Sequence, residues 1–275
     1  MGFKTPEQTS QIVADISAKK CYSSTGKLII LSFLAGAYMA LGGMIGEIVS
    51  SGLYNTGMPA GLTNMAFSTV FPVGLILIVL TGSNLFTGNI FMLTFGYMDN
   101  RFKIKDLLID WTGTYFVNLI GALFVAFILA YYSGIMTVEP FKSTAIMIAY
   151  AKAYGGADLY FHGHILHTLT FIQAFIKGIG CNWLISLGIF MATSANDLTS
   201  KAVSIWLTLF SFCALGFEHA VANMYLIPIG MLLGAHINFL QFITNNLIPV
   251  TLGNVVGGAI FVGCAYGFLY LKKGI

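Results

Sequence analysis

The sequence predicts an all-α membrane protein of six transmembrane helices, arranged as two inverted three-helix repeats whose second and fifth helices are broken. Three observations predict this fold: few charged residues, six long apolar segments, and similarity between the two halves of the chain. Of the 275 residues, 57% are hydrophobic and only 8% are charged, and the mean hydropathy is +0.84. A soluble domain carries about 25% charged residues, so this chain lacks the polar residues that a water-facing surface needs.

Six apolar segments reach the length of about 20 residues that is needed to cross a bilayer. They lie near residues 28–50, 67–97, 107–132, 167–192, 202–232 and 249–271. Residues 1–27 are polar and have no signal-peptide pattern, and Thr5-Pro6-Glu7 has the pattern of a helix start. This segment is expected to form an amphipathic helix on the cytoplasmic membrane face. Residues 28–275 then form a single transmembrane domain, with repeat 1 at about 28–132 and repeat 2 at about 167–271.

Positive charges outside the apolar segments fall mostly on one side of the predicted bundle. Ten lysines and arginines lie in the two termini and in the loops 98–106 and 193–201, whereas the opposite loops contain only Lys142 and Lys152. The positive-inside rule therefore predicts a multi-pass protein of the plasma membrane with both termini in the cytoplasm. The net charge of +3 reflects this orientation and does not indicate a nucleic-acid partner.

The second and fifth apolar segments have polar residues midway along them. Each segment is about 31 residues long, which is too long for one straight crossing. The interruptions are Thr81–Asn84 with Thr87–Asn89 in the second segment, and Gly216–His219 with Asn223 in the fifth. Irregular backbone at membrane depth is tolerated where it is buried in protein or lines a cavity. The two interrupted helices therefore predict a site between them.

Three short matches, in the same order, relate the two halves of the chain. They are Gly82–Met92 with Gly216–Leu226 at a shift of 134 residues, Asn118–Ala122 with Asn254–Gly258 at a shift of 136, and Phe33–Gly36 with Phe175–Gly178 at a shift of 142. Because each half contains three crossings, the halves would enter the membrane in opposite directions, as in the inverted repeats of many transporters.

Ionisable and polar side chains in the two breaks are the candidate site residues. Glu218 and His219 lie midway along a crossing, where a charge costs about 2.5–3.5 kcal/mol and usually faces a bundle interior or a water path. Histidine exchanges a proton near neutral pH, which suits a weak-acid solute. Thr87 in the matching break can offer its hydroxyl to His219. The alternative is structural: Glu218, Thr87 and Asn89 bond to the freed backbone, and His219 packs as a neutral ring.

Three further polar residues lie inside the fourth and fifth segments. Lys177 is the one positive charge within an apolar segment, and it either snorkels, pairs with an acid or attracts an anion into a vestibule. We favour attraction of an anion. Asn182 and Asn223 place amide groups at membrane depth, where such side chains hydrogen-bond neighbouring helices.

No cofactor or metal is predicted. His162, His164 and His167 form an HxHxxH pattern, but the only acid near them is Asp158, so a solvated surface cluster is favoured over a metal site. The four cysteines are scattered without metal-binding spacing. A haem-binding redox subunit, the alternative from another functional class, would need paired axial ligands, and only His219 lies clearly inside a crossing.

Five strings in the chain are long and specific enough to identify a family. They are Phe33–Ala37, Gly82–Asn89, Lys177–Leu184, Gly216–Met224 and Asn246–Asn254. In these strings, and along nearly its whole length, the chain resembles the formate/nitrite transporters.

The resemblance implies a homopentamer in the lipid bilayer, with an aquaporin-like protomer that contains one pore. It places Thr87 and His219 at the pore centre. It also implies two apolar constrictions, formed by Phe71, Leu75, Leu85, Phe86, Ile185 and Phe212. Substrates in this family are small monovalent anions of weak acids: formate, nitrite, hydrosulfide and, in some members, acetate or lactate.

The resemblance leaves the anion open. Nitrite, hydrosulfide and some formate members have lysine at the position of Lys177, whereas other formate members have an apolar residue there. The string Asn246–Thr251 occurs in formate members and favours formate. Because a bare anion loses its hydration at apolar rings, we expect Lys177 to concentrate the anion, and His219 with Thr87 to bind it and exchange a proton. The alternative is a passive channel in which a protonated His219 is a fixed charge.

Overall fold

The computed structural model describes residues 3–53, 60–161 and 163–271, and this part of the chain is mostly helical. Lys272, Lys273 and His162, which entered the sequence argument, lie outside the described residues. The helices are α1 (Pro6–Cys21), α2 (Thr25–Ser50), α3 (Ala60–Val70), α4 (Val73–Thr81), α5 (Phe86–Met98), α6 (Ile104–Tyr132), α7 (Phe141–Ala153), α8 (Phe171–Ser194), α9 (Leu198–Ala214), α10 (Ala220–Leu233) and α11 (Phe239–Tyr270). Strands β1 (Leu159–Phe161) and β2 (His164–Leu166) form an antiparallel hairpin.

Among the described residues, five helical stretches are long and apolar enough to cross a membrane: Thr25–Ser50, Gly61–Thr81, Ile104–Tyr132, Phe171–Ser194 and Phe239–Tyr270. The predicted fifth segment is divided between α9 and α10, as its polar interruption predicted, and each part is too short to cross a bilayer alone. The last helix begins at Phe239, well before the predicted residue 249, because Asn238 caps it by accepting a hydrogen bond from Gln241 N–H.

The N-terminal helix begins where the sequence predicts. The Thr5 hydroxyl accepts a hydrogen bond from Gln8 N–H at 3.3 Å, and the Gln8 side chain accepts one from Thr5 N–H at 3.0 Å, which forms a capping box. Ser10, Val13 and Ser17 are buried on one face of α1. This face packs against α5 and α8, so it contacts protein.

The segment between α6 and α8 corrects the predicted loop at 133–166. Helix α7 lies within it, and its residues Ala145, Ala149 and Ala153 recur every fourth position and are buried. Small side chains at this spacing form a flat face that packs against α10, where Gly230 meets Ala149. Lys152 therefore lies on a packed helix and not in a surface loop.

The chain is interrupted at both predicted breaks, but Thr87–Asn89 and Asn223, which were predicted to belong to the interruptions, lie in the first turns of α5 and α10. Helix α4 ends at Thr81 and α5 begins at Phe86, whereas α9 ends at Ala214 and α10 begins at Ala220. Gly82 and Gly216 follow these helix ends with φ of +75° and +67°, in the left-handed region that favours glycine. Each break therefore turns the chain in the same way.

Asn118 on α6 holds the first break in place. Its Nδ2 donates to Ser32 O at 2.7 Å and to Asn84 O at 3.0 Å. Its Oδ1 accepts from Phe86 N–H at 2.9 Å, where α5 begins. A buried amide thus pairs backbone groups that the break leaves without helical partners.

Asn254 on α11 holds the second break with the same three contacts. Its Nδ2 donates to Gly178 O at 2.8 Å and to Glu218 O at 3.0 Å, and its Oδ1 accepts from Ala220 N–H at 2.9 Å. Asn118 and Asn254 differ by 136 residues, the shift predicted for this region.

These contacts correct the third sequence match. Ser32 and Gly178 have equivalent partners, so α2 and α8 correspond at a shift of 146 residues, whereas the sequence match of 33–36 with 175–178 used 142. The difference of four residues is about one helical turn. Apolar helices match almost equally well one turn out of register because residues four apart share a face.

Candidate functional site

The two breaks bring His219 and Thr87 into direct contact. His219 Nε2 lies 2.8 Å from Thr87 Oγ1, and the two residues are 2% and 0% exposed. His219 also caps α10, because its Nδ1 accepts a hydrogen bond from Ala222 N–H at 3.2 Å. A ring nitrogen that accepts carries no proton, so the ring in this geometry is neutral with its proton on Nε2. His219 therefore donates to the Thr87 hydroxyl.

Two cavities adjoin this contact. The smaller, about 150 Å³, is lined by His219, Glu218 and Lys152, among others. The larger, about 500 Å³, lies beside α1 and is lined by residues that include Lys20 and Gly88, the neighbour of Thr87. The smaller cavity therefore reaches His219 itself, whereas the larger one reaches the residue that follows Thr87 in the chain.

The six residues predicted to form apolar constrictions are all buried: Phe71, Leu75, Leu85, Phe86, Ile185 and Phe212. Leu75 and Leu85 line the larger cavity. Phe71 and Phe212 line the smaller one, where their rings meet edge-on at 5.8 Å. Phe86 and Ile185 are not among the described residues that line either cavity. The Phe86 ring instead packs edge-on against Tyr115, with ring centroids 4.9 Å apart.

Glu218 pairs with a lysine that the sequence argument did not select. Lys152 Nζ on α7 lies 2.8 Å from Glu218 Oε1, with side chains only 17% and 5% exposed. Glu218 Oε2 accepts from the amides of Asn223 at 2.7 Å and Asn246 at 3.4 Å. The carboxylate is thus compensated by a cation and two amides. The alanine spacing of α7 was the signal that Lys152 lies on a buried helix.

A similar cluster lies at the first break and was also missed. Lys20 Nζ on α1 donates to Asn84 Oδ1 at 2.6 Å, to Asn89 Oδ1 at 3.2 Å and to Ser83 O at 3.5 Å. Asn89 Nδ2 in turn donates to Asp110 Oδ1 at 2.8 Å. Burial lowers the pKa of Lys20 to about 8, and Asp110 opposes this shift. Asp110 could have been selected from the sequence, because it is an acidic residue inside the third apolar segment.

Asn182 and Asn223 each contribute a buried amide near the contact between His219 and Thr87. Asn182 Nδ2 donates to Thr87 O at 3.2 Å and to Asn254 O at 2.8 Å, which ties the first break to α8 and α11. Asn223 Nδ2 also donates to Asn246 Oδ1 at 2.8 Å. The Oδ1 atoms of Asn182 and Asn223 accept no hydrogen bond from the described part of the protein.

Lys177 lies next to the second break. Its carbonyl oxygen accepts from Glu218 N–H at 3.3 Å, and a Cβ at Gly216 would lie 3.9 Å from its Nζ. Within residues 3–53, 60–161 and 163–271, the Lys177 ammonium has no hydrogen bond or ion pair, since Glu218 is already paired with Lys152.

No group of three or more metal-binding side chains occurs among the residues that the structure describes. In the predicted histidine cluster, His167 Nδ1 lies 2.8 Å from Asp158 Oδ1 and both side chains are exposed. His164 lies on β2, and His162 lies outside the described residues.

The comparison with known families agrees with this architecture. A family model described as formate/nitrite transporter matches residues 7–268. The chain belongs to the formate/nitrite transporter family. It is 47% identical over 271 residues to a protein named probable formate transporter from Methanothermobacter thermautotrophicus, and the match covers 98% of each chain.

Two solved structures of the family are similar over nearly the whole chain. One is named FNT family ion channel, with a TM-score of 0.77, 27% identity and coverage of 96% of this chain and 98% of that one. The other is named pentameric formate channel with formate bound, with a TM-score of 0.74, 32% identity and coverage of 90% and 97%. These relatives are membrane transporters and channels, so the protein is a membrane transport protein and not an enzyme.

Proposed function

We propose that this protein carries a small monovalent weak-acid anion, with formate as the first candidate, across the plasma membrane by a proton-linked pathway. The contact of 2.8 Å between His219 Nε2 and Thr87 Oγ1 carries this proposal. It joins two helix breaks at a buried point, and His219 lines a cavity whose wall includes Phe71 and Phe212. The pathway would pass this contact and the apolar side chains around it.

The pathway requires six crossings in two inverted three-helix repeats. We propose that α3 to α5 form one broken crossing and that α9 and α10 form another. The equivalent hydrogen bonds of Asn118 and Asn254 support this pairing of the halves. A two-fold axis in the membrane plane that relates the two halves would bring the two breaks together near the middle of the bilayer.

We propose a homopentamer with both termini in the cytoplasm. The pentameric formate channel described above supports the assembly. The orientation rests on the concentration of lysine and arginine on the side of the N-terminus. Lys152 no longer counts as a loop charge on the opposite side, which strengthens the asymmetry.

Formate is preferred over nitrite and hydrosulfide because the most similar relative reported above is named a probable formate transporter. All three anions share one physical requirement. A bare charge would lose its hydration between apolar side chains at a cost of several kcal/mol, whereas the protonated acid is neutral and small.

The site geometry supports a step in which Thr87 hydrogen-bonds the anion. The Thr87 oxygen accepts from Nε2–H of His219, so its own hydrogen is free to donate to an oxygen of the anion. Lys177, which has no ion-pair partner in the described residues, would raise the local concentration of anions. One proton from the water on the entry side reaches the anion by way of His219 and Thr87, with Nδ1 taking up a proton as Nε2 gives one up. The neutral acid crosses and releases the proton on the other side, so that no net charge moves.

A passive channel with a protonated His219 as a fixed positive charge is the alternative. Protonation of Nδ1 would remove the acceptor for Ala222 N–H and end the cap of α10. The observed hydrogen bond therefore supports a neutral ring at rest.

A competition assay on the reconstituted protein tests the choice of anion. Uptake of labelled formate into liposomes should be reduced most by unlabelled formate and less by nitrite or hydrosulfide at the same concentration. Stronger competition by nitrite or hydrosulfide would identify that anion, and not formate, as the preferred substrate. Absence of uptake of all three anions would refute the proposal.

A further inference from the structure

The larger cavity carries an excess of positive charge that the proposed pathway does not explain. Its lining includes three lysines, Lys4, Lys20 and Lys201, and one acidic residue, Asp197. Among the described residues, ion pairs form between other groups, and none of these three lysines takes part in one. The smaller cavity differs, because its Lys152 is balanced by Glu218.

Two of the lysines are held in place by neutral oxygen atoms. Lys4 Nζ donates to Asn196 Oδ1 at 2.8 Å and lies 3.3 Å from Thr193 O, at the end of α8. Lys20 Nζ is bound by Asn84 Oδ1 and Asn89 Oδ1, as described above. These partners orient the ammonium groups but leave their charges uncompensated, apart from the effect of Asp110 on Lys20.

Lys201 is the least constrained of the three. It lies in the first turn of α9, which Asp197 caps. Its Nζ makes no hydrogen bond or ion pair within the part of the chain that the structure describes. A cavity of about 500 Å³ has room for an anion several times larger than formate. Ammonium groups bind oxyanions as point charges, and the attraction grows with the charge of the anion.

We propose that the cavity beside α1 is a binding site for a multivalent oxyanion, of the sulfate or phosphate class, which blocks the pathway from the side of the N-terminus. This inference rests on the proposed function, because block requires a pathway to block. A monovalent weak acid becomes neutral by gaining one proton, whereas a dianion such as sulfate stays charged. Leu75 and Leu85 line the same cavity and offer a dianion no polar partner. The dianion would bind at the entrance and not pass.

Formate flux in inside-out and right-side-out membrane vesicles tests the proposal, with sodium sulfate added outside and sodium gluconate at equal ionic strength as the control. Sulfate should inhibit in one vesicle orientation only, the one that exposes the N-terminus. Lys201→Gln should raise the half-inhibitory sulfate concentration roughly tenfold. Lys19→Gln, which removes an exposed charge from α1 outside the cavity lining, should leave it unchanged.

Titration calorimetry of sulfate into the purified protein provides a readout that does not depend on flux. It should show binding that Lys201→Gln weakens and Lys19→Gln does not. Equal inhibition in both orientations, or inhibition and binding that Lys201→Gln leaves unchanged, would overturn the proposal. Absence of formate flux without sulfate would instead refute the proposed function, and calorimetric binding would still report on the cavity.

Discussion

At the scale of residues, His219 has two functions that constrain each other. Its Nδ1 caps α10 and its Nε2 contacts Thr87, so both ring nitrogens are occupied. The ring is thereby fixed in one orientation and one tautomer, with a proton directed at the threonine hydroxyl. If Nε2 gives its proton up through Thr87, Nδ1 has to take up a proton in exchange for the ring to stay neutral, so proton transfer requires the cap of α10 to open.

Replacing His219 with Phe should abolish proton-linked formate uptake in liposomes. Phenylalanine keeps the aromatic volume beside Phe212 but removes both ring nitrogens. His236→Phe is the matched control, because His236 is exposed and donates to the Tyr150 hydroxyl through its backbone N–H and not through its ring. Uptake with an unchanged pH profile in His219→Phe would show that the imidazole takes no part in proton exchange.

The Lys152–Glu218 pair should behave as a coupled unit. Glu218→Gln leaves a half-buried ammonium without its carboxylate, and Lys152→Met leaves a buried carboxylate without its cation. Each single change should destabilise the protein by about 3–5 kcal/mol, and the double change should cost clearly less than the two together. Denaturation midpoints in detergent measure this. Additive effects would mean that the two charges do not stabilise each other.

At the scale of elements, the breaks could be predicted from sequence because each needs residue types that apolar helices rarely contain. Gly82 and Gly216 supply the left-handed turns, and an Asn follows each at the same distance. Helix α7 was missed even though Ala145, Ala149 and Ala153 recur at helical spacing in the sequence. It is shorter than a crossing, and Lys152 was interpreted as a loop charge because a cation whose acidic partner is 66 residues away in sequence has no local signature.

The docking of α1 depends on Lys20 and should therefore depend on pH. The pKa of Lys20 is lowered from 10.5 to about 8 in the folded protein, so between these values an undocked α1 binds more protons than a docked one. Docking should strengthen as the pH rises from about 8 to 10.5. Hydrogen-exchange protection factors of α1 measure this; Lys20→Met should remove the trend, and Lys19→Met should retain it. A trend that persists in Lys20→Met would assign it to another group.

At the scale of the whole molecule, the two halves of the chain build related but unequal polar clusters at the two breaks. Lys20, Asn84, Asn89 and Asp110 form a polar cluster at the first break, and Lys152 with Glu218 and its amide partners forms one at the second. Composition and spacing predicted the apolar helices, the two breaks and the polar residues beside them. They could not predict which lysine pairs with which acid, since those contacts depend on how distant helices pack.

In the proposed pathway, a weak-acid anion and a proton cross together past His219. Formate uptake into liposomes that contain a pH indicator and a voltage-sensitive dye tests it most directly, with protein-free and His219→Phe liposomes as controls. Uptake should acidify the lumen by about one proton per formate and generate no membrane potential. A formate gradient that produces a membrane potential without acidification would contradict it and identify a passive anion channel.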